Sequence, residues 1–204
     1  MKFIGFYDYT VILTYLSLIS GLLGMKLASV GKIELAVCCL AFCGVCDMFD
    51  GAVARTKKNR TEDEKSFGIQ LDSLCDLVSF GVLPAVLLHN LGVDGVFGII
   101  ILIAYVLCAL IRLAFFNVLE TKRQQTEEGC VKYYRGLPVT SSSIIFPFFF
   151  LLSLVIGDRA MTVIYHVLPV LVAFLFIYDK PVPKLNVSAL IRRKEEEKKT
   201  ADAE

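Results

Sequence analysis

Long, continuous apolar runs separated by short polar stretches dominate this chain. Six runs reach the roughly 20 helical residues that a hydrocarbon core about 30 Å thick demands. They are Tyr9 to Ala28, Ile33 to Ala54, Gly68 to His89, Gly95 to Val118, Leu137 to Ile156 and Ala160 to Tyr178. The runs are unbroken, not alternating, so helices are expected and strands are not. The fold expected is an all-α integral membrane bundle of about six transmembrane helices. Two connections are long, Arg55 to Phe67 and Leu119 to Gly136.

Composition agrees: 56% of the 204 residues are hydrophobic and mean hydropathy is +0.66. The apolar run after MKFIGFYDYT lacks a small-residue cleavage site, so the first segment is expected to stay as a membrane helix. Net charge is only +1, which speaks against a nucleic-acid partner. The distribution of charge is more informative. With six spans, seventeen of the 21 Lys and Arg fall on the side that carries both termini and both long connections. Three fall on the other side, and Arg112 lies inside the fourth run. The positive-inside rule then makes both termini cytoplasmic. The chain divides into a membrane domain, 1–180, and a charged tail, 181–204, ending R-R-K-E-E-E-K-K-T-A-D-A-E. That tail has no apolar face and is expected to be solvated and disordered, with anionic lipid as the alternative contact. Cys43 and Cys46 form a CxxC. A zinc or redox site would want a second pair or histidines beside it, and the chain has only His89 and His166.

Against this background four carboxylates stand out. Each costs about 2.5–3.5 kcal/mol at a bilayer centre, so four cost on the order of 10 kcal/mol unless compensated. At 100° per residue Asp47, Asp50, Gly51 and Ala54 share one helical stripe, with Arg55 beside it. Gly68, Asp72, Asp76 and Ser79 share another. Facing each other, the two stripes make an oxygen-rich site suited to hard divalent ions, Mg²⁺, Mn²⁺ or Ca²⁺. Four carboxylates suffice for two ions, which clamp the oxygens of a phosphoryl displacement. Gly51, Ala54 and Gly68 leave room for a bulky ligand or another helix at the backbone, and Arg55 adds a fork donor for phosphate. Structural salt bridges to Arg55 or Arg112, and a cation-conducting role, are the competing readings. Neither gives a full account of four acids: the arginines are too few, and no acidic path continues to the far side.

The pattern D-x2-D-G-x2-A-R followed by G-x3-D-x3-D resembles the signature of the CDP-alcohol phosphotransferases. It is matched by Asp47, Asp50, Gly51, Ala54, Arg55, Gly68, Asp72 and Asp76, and the likeness covers about residues 10 to 180. One departure is the linker. Twelve residues, Thr56 to Phe67, stand where the family usually has about eight. Three further stretches resemble the phosphatidylserine synthases within the family: F-G-I-Q-L-D-S-L-C-D-L-V-S-F-G-V-L-P-A from Phe67, I-R-L-A-F-F-N-V from Ile111 and Y-R-G-L-P-V-T from Tyr134.

The resemblance implies transfer of a phosphatidyl group from CDP-diacylglycerol to an alcohol, L-serine first, with CMP leaving. It implies two divalent ions on Asp47, Asp50, Asp72 and Asp76, close approach of the nucleotide at Gly51, Ala54 and Gly68, and Arg55 at the nucleotide end. Asp76, a turn deeper than Asp72, is the expected general base. Arg112 is expected to meet the serine carboxylate or the lipid phosphate, or else to pair with one of the four aspartates. Ser79, Asn117 and Arg135 are candidates for substrate polar groups. Kinks at Pro84, Pro138, Pro147 and Pro169 would open a lateral slot for acyl chains. Inositol phosphate, glycerol phosphate and an archaeal-type lipid donor are the alternatives within the family. A homodimer in the inner or cytoplasmic membrane, its site facing the cytoplasm, completes the expectation.

Overall fold

The computed structural model describes residues 4–57, 59–125, 133–156, 158–179 and 181–183. Among the described residues seven α-helices follow in order: α1 Ile12–Ser29, α2 Ile33–Thr56, α3 Glu62–Asp76, α4 Leu83–Asn90, α5 Gly95–Gln125, α6 Ser142–Ser153 and α7 Asp158–Ile177. A π turn, Leu77–Val82, joins α3 to α4 without a break, so Glu62–Asn90 is one long rod. Among the described residues five helical stretches are long and apolar enough to cross a membrane: Tyr9–Ser29, Ile33–Ala54, Glu62–Asn90, Gly95–Thr121 and Ala160–Ile177. The expected fifth run is shorter as a helix. Val139–Ser153 comprises a 3-10 turn followed by α6, about 22 Å at 1.5 Å per residue. The remainder of Leu137 to Ile156 is extended chain or turn.

The long connections also differ from expectation. The first is mostly helix: α2 runs on to Thr56 and α3 begins at Glu62, six residues before the expected start. A capping box explains the early start. Thr61 Oγ1 accepts from Glu64 N at 3.2 Å, and Glu64 Oε2 accepts from Thr61 N at 3.0 Å. Glu62, Asp63 and Glu64 then put negative charge on the helix N-terminus. In the second connection α5 continues to Gln125. Where strands were not expected, Tyr133–Arg135 (β1) pairs antiparallel with Pro181–Pro183 (β2), Tyr134 opposite Val182. Both lie outside the apolar runs, and β2 falls just past the expected domain end at 180. The tail from 184 lies outside the described residues.

Packing relies on small residues where helices meet. A Cβ on Gly24 of α1 would come within 3.1 Å of both Leu83 and Cys39, so α1 can lie against α2 and α4 only because that side chain is absent. Cys43, fully buried, donates its thiol to the Ser17 carbonyl. It behaves as a small core residue, and Cys38, Cys39, Cys43, Cys46, Cys75 and Cys108 are all free thiols. Tyr105 on α5 is the central tie. It is fully buried, its hydroxyl donates to the Phe80 carbonyl in the π turn at 2.6 Å, and it lies 2.9 Å from Ser142 Oγ at the start of α6. Its ring packs edge-on against Phe146 of α6 and against Phe176 of α7. The outward faces carry exposed Phe97, Ile103, Leu151, Val163 and Phe174, the composition of a lipid-facing surface.

One residue therefore links α5 to the π turn and α6 through a polar atom in an apolar interior, and to α7 through its ring. Tyr105→Phe is expected to cost about 1 kcal/mol, read as a lower Tm in detergent. Ser142→Ala should cost less in the Tyr105→Phe background than in the native protein. Additive losses would remove the shared hydrogen bond from this account.

Candidate active site

The start of α1, the end of α2 and the start of α3 meet at one end of the bundle. Tyr9 Oη lies 3.1 Å from Thr56 Oγ1, and the Lys57 ammonium bridges Asp8 at 2.7 Å and Glu64 at 3.0 Å. Phe6 packs edge-to-face on Phe67. These contacts use the linker residues to hold α2 and α3 side by side. The two acidic stripes consequently face each other. Carboxylate oxygens of Asp47, Asp50 and Asp72 all lie within 4.8 Å of one another, and all three residues are half-buried. Asp50 and Asp72 are in hydrogen-bonding contact. Asp76 is 8% exposed and stands deeper, outside that group but in electrostatic reach of Asp72, Asp47 and Asp50.

A cavity of about 160 Å³ opens against these acids. Its wall includes Asp50, Gly51, Ala54, Gly68 and Asp72, together with Thr10, Thr14, Arg60 and Lys65. Five residues picked out by helical spacing thus line one space. The last four were not among the sequence candidates. Thr10 comes from the 3-10 turn that begins α1, where Asp8 accepts from its backbone N and from its hydroxyl. Arg60 and Lys65 come from the lengthened linker, whose charge was visible in sequence but whose path was not. Arg55 lies in the last turn of α2, and its side chain is outside the described residues.

The other candidates occupy different places. Ser79 is fully buried in the π turn and hydrogen-bonds to Ser17 on α1, so it does not line the acidic cavity. Asn117 accepts from Ser73 Oγ at 2.7 Å and donates to Gln70 at 3.3 Å, which fastens α5 to α3 beside Asp72. Arg112, 7% exposed, lies on the α5–α7 seam. It lines a second cavity, about 220 Å³, with Phe115, Phe176, Tyr178 and Asp179. Gly136 closes over this Arg: its φ is +75°, and a Cβ there would lie 3.0 Å from the Phe176 carbonyl and 3.2 Å from that of Tyr178. Only glycine fits such a position. Arg135 belongs to β1, and its side chain lies outside the described residues. Ser73–Asn117 and Gly81–Ala109 contacts set α3 and α5 antiparallel. At 1.5 Å per residue, Arg112 then sits within about 3 Å of the depth of Asp76.

The acidic cluster offers oxygen atoms alone, without imidazole or thiolate. That donor set, and two carboxyl groups already in contact, fit a hard divalent cation in place of a shared proton.

A helical membrane bundle with an acidic, cation-compatible pocket at one end defines the class. The model of the CDP-alcohol phosphatidyltransferase family matches residues 9–179, and the chain belongs to that family. Similar proteins include one from Methanocaldococcus jannaschii called CDP-diacylglycerol–serine O-phosphatidyltransferase. It is 33% identical over 186 residues, which is 90% of this chain and 76% of the relative. One of the same name from Saccharomyces cerevisiae is 44% identical over 101 residues, 48% of this chain and 35% of the relative. An archaetidylserine synthase from Methanothermobacter thermautotrophicus is 33% identical over 151 residues, 74% of this chain and 60% of the relative. The chain therefore spans about a third of the yeast relative's length and most of that of the archaeal ones. No solved structure matches.

Outside the spans, hydrogen bonds from Lys57 and then Thr10 hold the Asp8 carboxyl well below its ordinary 3.8, at about 2. A depressed pKa contributes stability that is present in full above the unfolded value and lost as pH falls through the folded one. The Asp8–Lys57 clasp should therefore persist at pH 4 and open toward pH 2. Carboxyl chemical shifts should place the Asp8 midpoint near 2 in the native chain and closer to 3.8 in Lys57→Met. An unchanged midpoint would remove Lys57 as the cause.

Proposed function

We propose that this integral membrane protein transfers the phosphatidyl group of CDP-diacylglycerol to the hydroxyl of L-serine, giving phosphatidylserine and CMP. The observation that carries the reading is the cluster of Asp47, Asp50 and Asp72, two of which, Asp50 and Asp72, line a cavity together with Gly51, Ala54 and Gly68. The names of the relatives support serine as acceptor. The Methanothermobacter relative supports a second reading, the same transfer from an archaeal-type lipid donor.

In this mechanism Asp47, Asp50, Asp72 and Asp76 would hold two divalent cations, Mg²⁺ or Mn²⁺. When bound, such ions offset the charge that develops on the phosphate oxygens. Gly51, Ala54 and Gly68 admit the nucleotide to the helix backbones, with Arg55 steadying the nucleotide end of the donor. Asp76 takes the proton from the serine hydroxyl. The serine oxygen bonds to the phosphorus that carries the diacylglycerol, and the bond from that phosphorus to the CMP oxygen breaks. CMP leaves with the electron pair. Arg112 is the proposed partner of the serine carboxylate or the lipid phosphate, at a depth near that of Asp76. Asn117 acts by fastening α5 beside Asp72, and Arg135 completes the polar candidates. Seventeen Lys and Arg on one side support a site facing the cytoplasm, and the family resemblance supports a homodimer.

Purified protein with Mn²⁺ or Mg²⁺ should release CMP from CDP-diacylglycerol when serine is supplied, and not with inositol phosphate or glycerol phosphate. Chelation should abolish release. A preference for an archaeal-type CDP-lipid would select the second reading, and no release with any donor and alcohol would end both. Asp76→Asn should lower kcat by about 10²- to 10⁴-fold with little change in KM for the CDP-lipid. Near-normal turnover would exclude Asp76 as the base.

A further inference from the structure

We propose that Arg60, from the lengthened linker, is a donor-binding residue that grips the diphosphate of the CDP-linked lipid. The inference deepens the reading of the reaction above and rests on it for the identity of the ligand. Arg60 lines the same cavity as Asp50, Gly51, Ala54, Gly68 and Asp72. Its guanidinium lies over Gly68: a Cβ on that residue would come 2.7 Å from Arg60 Nη2. Through the gap left by the glycine, Nη2 donates to the Glu64 carbonyl at 3.1 Å. Its Nε is buried and has no hydrogen-bond partner. Among the described residues Arg60 makes no ion pair, whereas Lys65, the other cation in the cavity, is paired with Glu62 at 2.7 Å.

This is an expensive arrangement for a linker residue with no further task. A buried guanidinium N–H without an acceptor carries a desolvation penalty, and a solvent-facing linker offers an arginine easier places to sit. The two acids that line the cavity, Asp50 and Asp72, attract cations and repel an anionic donor. A guanidinium beside them, with unspent donors in a planar fork, supplies the opposite attraction and matches phosphate oxygens two at a time. The lipid-linked cytidine diphosphate is an anion of that geometry. Gly68 then has two functions. It lets the donor approach the helix, and it gives Arg60 the path into the cavity. The connection that is longer here than in the family's usual pattern is the one that delivers this cation.

The full-length protein in detergent tests the proposal, with Arg60→Ala, Arg60→Gln and Arg60→Lys compared by steady-state kinetics and by binding of CDP in the presence of Mn²⁺. Loss of a charge-assisted phosphate contact should raise KM for the CDP-lipid about tenfold or more, with kcat and the KM for serine within about threefold. CDP affinity should fall in parallel. Arg60→Lys should recover part of the loss and Arg60→Gln should not. The proposal is overturned if Ala and Gln leave both KM and CDP affinity unchanged. It is also overturned if they lower Tm and kcat together while KM stays put, the mark of a structural clasp. If the native protein binds CDP but transfers nothing, the reaction reading fails while CDP binding still decides Arg60. If it binds no CDP, both fall.

Discussion

Three carboxylates held within 4.8 Å of one another in an otherwise apolar helix pair are the constraint that the rest of the molecule serves. Left alone they repel, and lipid cannot solvate them. A cation or a shared proton would relieve that repulsion, and access for either requires that the acids stay open to one end of the bundle and closed to the bilayer. The structure meets both demands. The acids sit in the last three turns of α2 and the third turn of α3, where the linker and the N-terminal turn cover them. Below them the apolar packing resumes at Cys43, Phe80 and Tyr105.

Polar contacts elsewhere in the bundle act as supports for that arrangement. Asp8, Lys57 and Glu64 tie α1, the linker and α3 at the rim. Ser73 and Asn117 fasten α5 to α3 one residue from Asp72. Tyr105 binds the π turn to α6. Each is a hydrogen bond or ion pair placed where neighbouring helices must keep a fixed register, which dispersion between apolar side chains specifies poorly. The second cavity, with Arg112 and Asp179 under Gly136, repeats the pattern on the α5–α7 seam. There too a loop folds back to enclose the charge.

Much of the site was legible because the helical repeat is regular. Asp47, Asp50, Gly51 and Ala54 fall on one stripe by arithmetic alone, and Gly68 and Asp72 on another, and the structure brings members of both into one cavity. The same arithmetic misplaced Ser79. The helix widens into a π turn at Leu77, the repeat changes from 3.6 to a longer one, and the serine turns toward Ser17 on α1. The early start of α3 was available as T-E-D-E, a capping box spelled in four residues. Arg60 and Lys65 had no such signature, because the direction of a long side chain leaving a linker depends on what stands opposite.

By itself the sequence determined the membrane class, the helical content, the two acidic stripes and, through their spacing, the family. Each depends on local periodicity and composition, which neighbouring residues settle among themselves. The tertiary structure alone decided that Asp76 stands apart from the other three acids, that the fifth apolar run is too short as a helix to match the rest, and that Arg60 reaches over Gly68 into the pocket. Those outcomes depend on which surfaces meet when helices distant in sequence pack. They follow from a missing Cβ at Gly24, Gly68 and Gly136 and from hydrogen bonds between separate helices, which no periodicity along one helix records.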